Sequence, residues 1–298
     1  MSMRHGWLVF ILVIAALATV MAMMGMARAG EGFDGEGAGV NAGVNAAVSH
    51  GWRAARGAYP WFCEVERKVN GTWKHFAAGV LIAPDVVATA AHVVLFALKY
   101  EREGYEMRIA VGRRHRGRLN GVELRKIARG NVYDFNIPTL KKLSDLKHDV
   151  GTFMLKRPST HTPVALATKG FVPTGPWKVL GLGLKRNNVL PVVLQKSWVD
   201  EAKCHSDYVG VPYILCVKNK ATQATTCSGD SGGPLFCTDK NGRDTVFGLC
   251  SSGDGDCDAP TKGKKSVNAS VFKDARAYEG FFKNAIHSRA TAGVPFKG

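Results

Sequence analysis

Short apolar runs separated by turn residues dominate the chain from residue 61 onward. Trp61 to Val69 alternates loosely between apolar and polar positions, and Asn70-Gly71 then supplies a tight hairpin turn into Trp73 to Ile82. Pro84-Asp85 turns the chain into Val86 to Ala90. Further strand-length runs are Arg108 to Val111, Val122 to Ile127, Val150 to Leu155, Trp177 to Leu184, Val192 to Val199, Ile214 to Val217, Pro234 to Cys237, Thr245 to Cys250 and Val267 to Phe272. So many short strands with turns between them predict an all-β protein, built as barrels or a large sandwich. One segment breaks the period. Phe272, Ala275, Tyr278, Phe282 and Ile286 recur at helical spacing, which predicts an amphipathic helix closing the chain.

The N-terminus follows a different pattern. Arg4 and His5 make a basic start, an apolar run extends from Trp7 to Met26, and Ala27-Arg28-Ala29 puts small residues where a signal peptidase reads. Residues 1–29 are read as a secretory signal peptide cut after Ala29. An uncleaved signal anchor is the competing reading, because the run is long enough to span a bilayer. Residues 30–47, GEGFDGEGAGVNAGVNAA, contain one aromatic residue and almost nothing to bury. They are expected to form a flexible leader or pro-segment, with an inert tail as the alternative. No second apolar stretch reaches spanning length, so an exported protein without stable membrane insertion after signal removal is expected.

Composition narrows the classes. A chain of 298 residues that is 46% hydrophobic and 21% charged can bury a core, which excludes global disorder. The 34 glycines follow no Gly-X-Y period, which excludes a collagenous chain. The net charge of +16 suits a nucleic-acid binder, a membrane-surface protein or a secreted basic protein, and by itself selects none of them. Eight basic residues crowd between Arg108 and Arg129, but they alternate with apolar positions. A solvated barrel face is therefore preferred to a polyanion site, and no specific nucleic acid is expected as a partner. Seven cysteines suit a disulfide-using exported protein, although the number is odd.

The chemistry concentrates in three places. In Cys227-Ser228-Gly229-Asp230-Ser231-Gly232-Gly233-Pro234-Leu235, glycines on both sides of a serine let the backbone turn tightly and point N–H groups inward. A serine hydroxyl is a weak nucleophile without a base, and His92 stands at the end of the apolar run Val87-Ala88-Thr89-Ala90-Ala91. An acid to orient that imidazole is available at Asp149, at the mouth of the run Val150 to Leu155. Taken singly, these are a turn serine, a surface histidine and a strand-edge aspartate. Taken together, their roles interlock as nucleophile, base and orienting acid.

The stretches GDSGGPL, TAAH and DVGTFML resemble the signature segments of the chymotrypsin/trypsin family of serine proteases. The similarity runs from Val48 to the C-terminal helix. Val48-Ser49-His50-Gly51 and Arg53 to Trp61 resemble the family's mature start, and Gly181-Leu182-Gly183 stands where the family has Gly-Trp-Gly. The resemblance implies two packed antiparallel β-barrels with a C-terminal α-helix, the first barrel over 48–160 and the second over 161–298. It implies Ser231 as nucleophile, His92 as general base and acid, Asp149 as the orienting group, and the N–H groups of Gly229 and Ser231 as oxyanion hole. No metal or organic cofactor is implied, and the expected partners are protein or peptide substrates and protein inhibitors.

The resemblance also assigns a substrate pocket. Thr225, six residues before the nucleophile, falls at its floor and offers no counter-charge to Arg or Lys. Ser251 matches the serine that supports the buried aspartate and borders the pocket, and Gly253 leaves the mouth open. Uncharged apolar or small residues are thus expected before the cleaved bond. An acidic preference through Lys262, Lys264 and Lys265 is the lesser option.

Implied bridges are Cys204–Cys216 and Cys227–Cys257. Ala77 and Val93 stand at the ends of a bridge the family usually has, Cys63 and Cys237 are a candidate new pair, and Cys250 is left free. Val48, once freed, would pair its ammonium with Asp230. Because Ala46-Ala47 precedes it in place of a basic residue, trypsin-type self-activation is not expected. A protease accepting small residues is expected to remove 30–47, the rival being that the segment stays and His50 or a nearby base partners Asp230. The altered start and missing bridge keep a second class open, a catalytically inactive homologue that binds proteins or polyanions. Asn70-Gly71-Thr72 is a sequon on an expected exposed turn, and Asn268-Ala269-Ser270 one in an expected buried strand.

Overall fold

The computed structural model describes residues 51–133, 147–184, 189–219, 226–252, 269–288 and 293–296. A short β1 (Trp52–Arg53) is followed by β2 (Phe62–Val69), β3 (Thr72–Ala83), β4 (Val86–Thr89), β5 (Met107–Val111), β6 (Glu123–Val132) and β7 (Gly151–Leu155), with α1 (Ala91–Arg102) between β4 and β5. These strands pair antiparallel in the order β6-β5-β2-β3-β4-β7, and β6 closes the ring on β7. A second set comprises β8 (Ala165–Leu166), β9 (Trp177–Gly181), β10 (Gln195–Glu201), β11 (Ile214–Lys218), β12 (Pro234–Thr238), β13 (Asp244–Ser252) and β14 (Ser270–Asp274). Its ring runs β10-β11-β14-β13-β12-β9 and closes between β9 and β10, with β8 added parallel to β13. Two closed six-stranded antiparallel barrels result, as the resemblance implied.

Local chemistry accounts for several of these elements. Asn70 and Gly71 both take positive φ, 49° and 74°, the backbone a two-residue hairpin turn requires to match strand twist. Val69 and Thr72 face each other across that turn. The C-terminal helix forms later than its periodicity predicted. Phe272 lies in β14, paired with Leu215 and Cys250, a single turn of 3-10 helix (Ala275–Tyr278) follows, and α2 spans Glu279–His287. A buried inward strand position happened to continue the helical spacing, whereas the Asp274 carboxylate, accepting from the Arg276 N–H, marks where the backbone begins to coil. The helix is not the last element, because β15 (Val294–Pro295) returns to pair with β6.

The first and last strands among the described residues cross over. β1, from the start, pairs with β10 of the second barrel, and β15, from the end, pairs with β6 of the first. One apolar cluster runs through both barrels, holding Phe62, Leu81, Val87, Ile109 and Phe153 together with Leu180, Phe236 and Val246. Phe236 meets Trp61 and Tyr59 edge-on, at centroid distances of 5.3 and 5.5 Å. Such aromatic contacts hold better than their buried area alone would.

Cysteine pairing follows the resemblance in part. Cys204 and Cys216 are bridged. Cys227 is disulfide-bonded, and Cys257, its expected partner, lies outside the described residues. The candidate pair Cys63–Cys237 is not formed: both thiols are free and buried. Cys63 sits in β2 between Gly79 and Val111, its thiol donating to the Trp61 carbonyl, while Cys237 is held in β12 opposite Thr245. Strand pairing commits each to the core of a different barrel. The signal and leader segments, Val48, Thr225, Gly253, Asn268 and the Lys262–Lys265 run also lie outside the described residues.

Candidate active site

His92 enters at the junction of β4 and α1. Ala90 keeps an extended backbone (φ −79°, ψ 148°) and the helix starts at Ala91, so the His92 N–H belongs to the first turn, where helical N–H groups lack partners within the helix. Asp149 supplies one. Its Oδ1 accepts from the His92 N–H at 2.9 Å, and its Oδ2 lies 2.8 Å from His92 Nδ1. One carboxylate thus grips both the backbone and the ring of His92. Asp149 is fully buried, and Ser251 on β13 donates its hydroxyl to Oδ2 at 2.6 Å. Burial by itself would raise the Asp149 carboxyl, but the His92 charge and ring contact and the Ser251 hydroxyl outweigh it and hold the group below its usual range. An ionised Asp149 can only accept, so Nδ1 carries the ring proton and Nε2 is left as the basic nitrogen.

Ser231 stands on a turn fastened to both barrels. Its carbonyl accepts from Ala78 N at 2.9 Å on β3, and the Gly232 N–H donates to Cys250 O at 2.7 Å on β13. Gly232 has φ +77°, and any side chain there would overlap Thr89 and the Ala78 carbonyl. The absence of a Cβ is what lets the turn press against the strand that leads to His92. Among the described residues, Ser231 Oγ makes no hydrogen bond to His92 Nε2, and the N–H groups of Gly229 and Ser231 donate to no protein acceptor. Hydrogen bonds of this kind often tighten only when substrate is bound.

Asp230, between those two donors, is 1% exposed. Its oxygens accept from Gly183 N at 2.8 Å and Cys227 N at 2.9 Å. Gly181 and Gly183 leave the space it fills; a Cβ on Gly183 would stand 2.6 Å from its carboxyl carbon. Burial outweighs the backbone donors and pushes the carboxyl up to about 6.

Sequence reasoning missed a second buried assembly touching this loop. His75 on β3 has a side chain only 2% exposed; its Nδ1 lies 2.9 Å from Glu64 Oε1 and its Nε2 lies 2.9 Å from the Gly229 carbonyl. Arg113 Nε lies 2.8 Å from Glu64 Oε2, a charge contact and not an aligned hydrogen bond, and Arg116 Nε lies 3.4 Å from Oε1. Burial works to raise the Glu64 carboxyl, but His75, Arg116 and Arg113 pull it below the usual range. With Glu64 ionised, the groups facing both ring nitrogens of His75 are acceptors, so the ring bridges the carboxylate to the Gly229 main chain. Glu66, two residues on, holds Arg108 at 2.6 Å and Arg113 at 3.1 Å. The solvated face expected for Arg108 to Arg129 is thus wrong for Arg113, which is 2% exposed. The available signal was Glu64 and Glu66 at strand spacing, with Arg113, Arg114, Arg116 and Arg118 crowded just after β5, the strand that pairs beside them.

Known proteins match the chain over the same region. The Trypsin family profile matches residues 48–275. Chymotrypsin-like elastase family member 1 from Canis lupus familiaris is 28% identical over 224 residues, covering 70% of this chain and 82% of the relative. Chymotrypsin-C from Bos taurus is 29% identical over 228 residues, covering 70% and 76%. A profile match across most of the chain, on two closed barrels, shows that this chain belongs to the trypsin family.

Proposed function

We propose that the chain is an exported serine endopeptidase acting through His92, Asp149 and Ser231. The observation that carries this reading is the double grip of a buried, ionised Asp149 on His92, which leaves Nε2 as the basic nitrogen. In this mechanism Ser231 Oγ attacks the scissile carbonyl as His92 takes its proton. Asp149 stabilises the imidazolium that forms, and the acyl-enzyme is released by water after His92 protonates the leaving amine. The unengaged N–H groups of Gly229 and Ser231 serve the oxyanion, each worth ~3 kcal/mol in the transition state. Ser251 spends its hydroxyl on Asp149, so its part in the substrate pocket falls to its main chain. Thr225 and Gly253 complete that pocket, and an uncharged residue precedes the cleaved bond because Thr225 cannot pair a guanidinium. The bridge Cys204–Cys216 supports an oxidising destination, and no helix among the described residues is long and apolar enough to cross a membrane.

Removal of residues 30–47 activates the enzyme in this reading. Among the described residues no cation is in ion-pair contact with Asp230, and a buried carboxyl so placed is what a freed Val48 ammonium would stabilise. N-terminal sequencing of the active form is expected to begin at Val48; full activity with residue 30 still first removes the activation step and leaves the triad. A fluorophosphonate probe tests the triad itself. Ser231 is expected to be labelled in the wild type and no label taken by Ser231→Ala. An unlabelled, correctly folded wild type rejects the enzyme reading in favour of a binding module.

A further inference from the structure

Lysine is among the residues least tolerated in a protein interior, yet Lys273 is 1% exposed. It lies on β14 opposite Leu249 of β13 and Ile214 of β11, on a strand buried on both faces from Ser270 to Lys273. Its Nζ donates to the Lys147 carbonyl at 2.8 Å, on the turn that delivers Asp149 to β7. The neighbouring titratable and charged groups can be named element by element. His148 and Asp149 share that turn, and Asp149 is the acid whose charge reaches the ammonium. Tyr278 bonds His148 Nδ1 at 3.2 Å, and Tyr213, just before β11, packs edge-on against Tyr278. Asp274, next along β14, is engaged by Arg276 at 2.7 Å.

A buried ammonium is costly, and an uncharged side chain of similar length would fill the same space. We infer that Lys273 is a positioning residue of the triad: its ammonium anchors the 147–149 turn and sets a buried positive charge on the segment that carries Asp149. This inference rests on the triad reading. Its electrostatic consequence has a definite sign. A cation on the turn that carries Asp149 opposes the arrival of further positive charge there, so removing it is expected to move the acid fall-off of the labelling rate to higher pH. Burial lowers the proton affinity of Lys273 to about 8, with Asp149 drawing it partly back up, so the charge is present at acid pH.

The test is the rate of fluorophosphonate labelling of Ser231 as a function of pH, which needs no natural substrate. Lys273→Met, close in length and uncharged, is expected to move the acidic limb of that rate upward by about half a pH unit to one unit, slowing labelling on the limb about three- to tenfold. Lys273→Gln, a second neutral variant, is expected to shift the limb in the same direction, and Lys273→Arg to restore it. A space-filling role would change thermal stability but not the limb. Variants that label at every pH as the wild type does overturn the inference and leave the triad standing. A wild type that takes no label overturns both.

Discussion

Two carboxylates meet the Gly229 main chain from different directions, and they have been treated oppositely. Glu64 reaches the Gly229 carbonyl through His75; Asp230 is the next residue along the chain. Each is 1% exposed, so each has lost its water. Glu64 has His75, Arg113 and Arg116 around it and is held below the usual carboxylate range. Asp230 has two backbone N–H donors and is pushed up to about 6. Desolvation raises both groups, and contact with cations decides which way the balance falls. The first barrel completes its charge assembly from within the chain. The second keeps a carboxyl that an arriving charge would stabilise, which is the physical content of the proposed activation at Val48.

The strongest way to break this contrast is Glu64→Gln. It leaves the His75 ring buried without its carboxylate partner and Arg113 with Glu66 alone, and a loss of about 3–5 kcal/mol in urea unfolding at neutral pH is expected. Loss below about 1 kcal/mol would mean the assembly is no more than a surface pair. Gly183→Ala comes next, because its Cβ would stand 2.6 Å from the Asp230 carboxyl carbon. Overpacking of that kind is expected to cost about 1–3 kcal/mol and to slow labelling of Ser231.

Asp230→Asn should act with opposite signs in two forms of the protein. With the leader attached it relieves a buried charge while leaving the Cys227 N–H badly served, for a net gain of about 1 kcal/mol at pH 8. In a chain beginning at Val48 it strands the ammonium and is expected to destabilise. The pH dependence sharpens this. The folded Asp230 carboxyl stands at about 6 against an ordinary 3.8, so its stability contribution is full below 3.8 and lost as pH rises through about 6. The leader-bearing wild type should therefore weaken relative to the asparagine variant between those values and match its trend below them. Titration of stability for both variants reads this directly. Glu64 runs the other way: its contribution is present above the ordinary glutamate range and lost as pH falls through its depressed folded value.

The smallest expected effect concerns the thiols. Burial raises Cys63 and Cys250 well above the ordinary thiol range and raises Cys237 too. A thiol reagent should leave all three unmodified in the native protein and modify them once it is unfolded in denaturant. Rapid native reaction of any one would show that its barrel opens locally.

Much of this molecule was determined by the sequence alone. Strand-length runs between turn residues set out the barrels, Asn70-Gly71 specified its hairpin through backbone conformation, and His92, Asp149 and Ser231 stood in motifs whose local chemistry announces them. These are near-neighbour properties: turn preference, glycine's missing Cβ, an apolar run long enough for a strand. Tertiary structure alone decided that β1 and β15 change barrels, that Phe272 belongs to a strand, and that Cys63 and Cys237 stay apart. It also decided that Glu64, His75, Arg113 and Lys273 lie inside. Alternation along a strand separates two faces but cannot say that both are covered, and here one barrel packs on the other. The His75–Gly229 contact joins residues 154 positions apart, and the electrostatic meaning of a buried charge is set by which distant partner arrives beside it, a quantity that no local pattern carries.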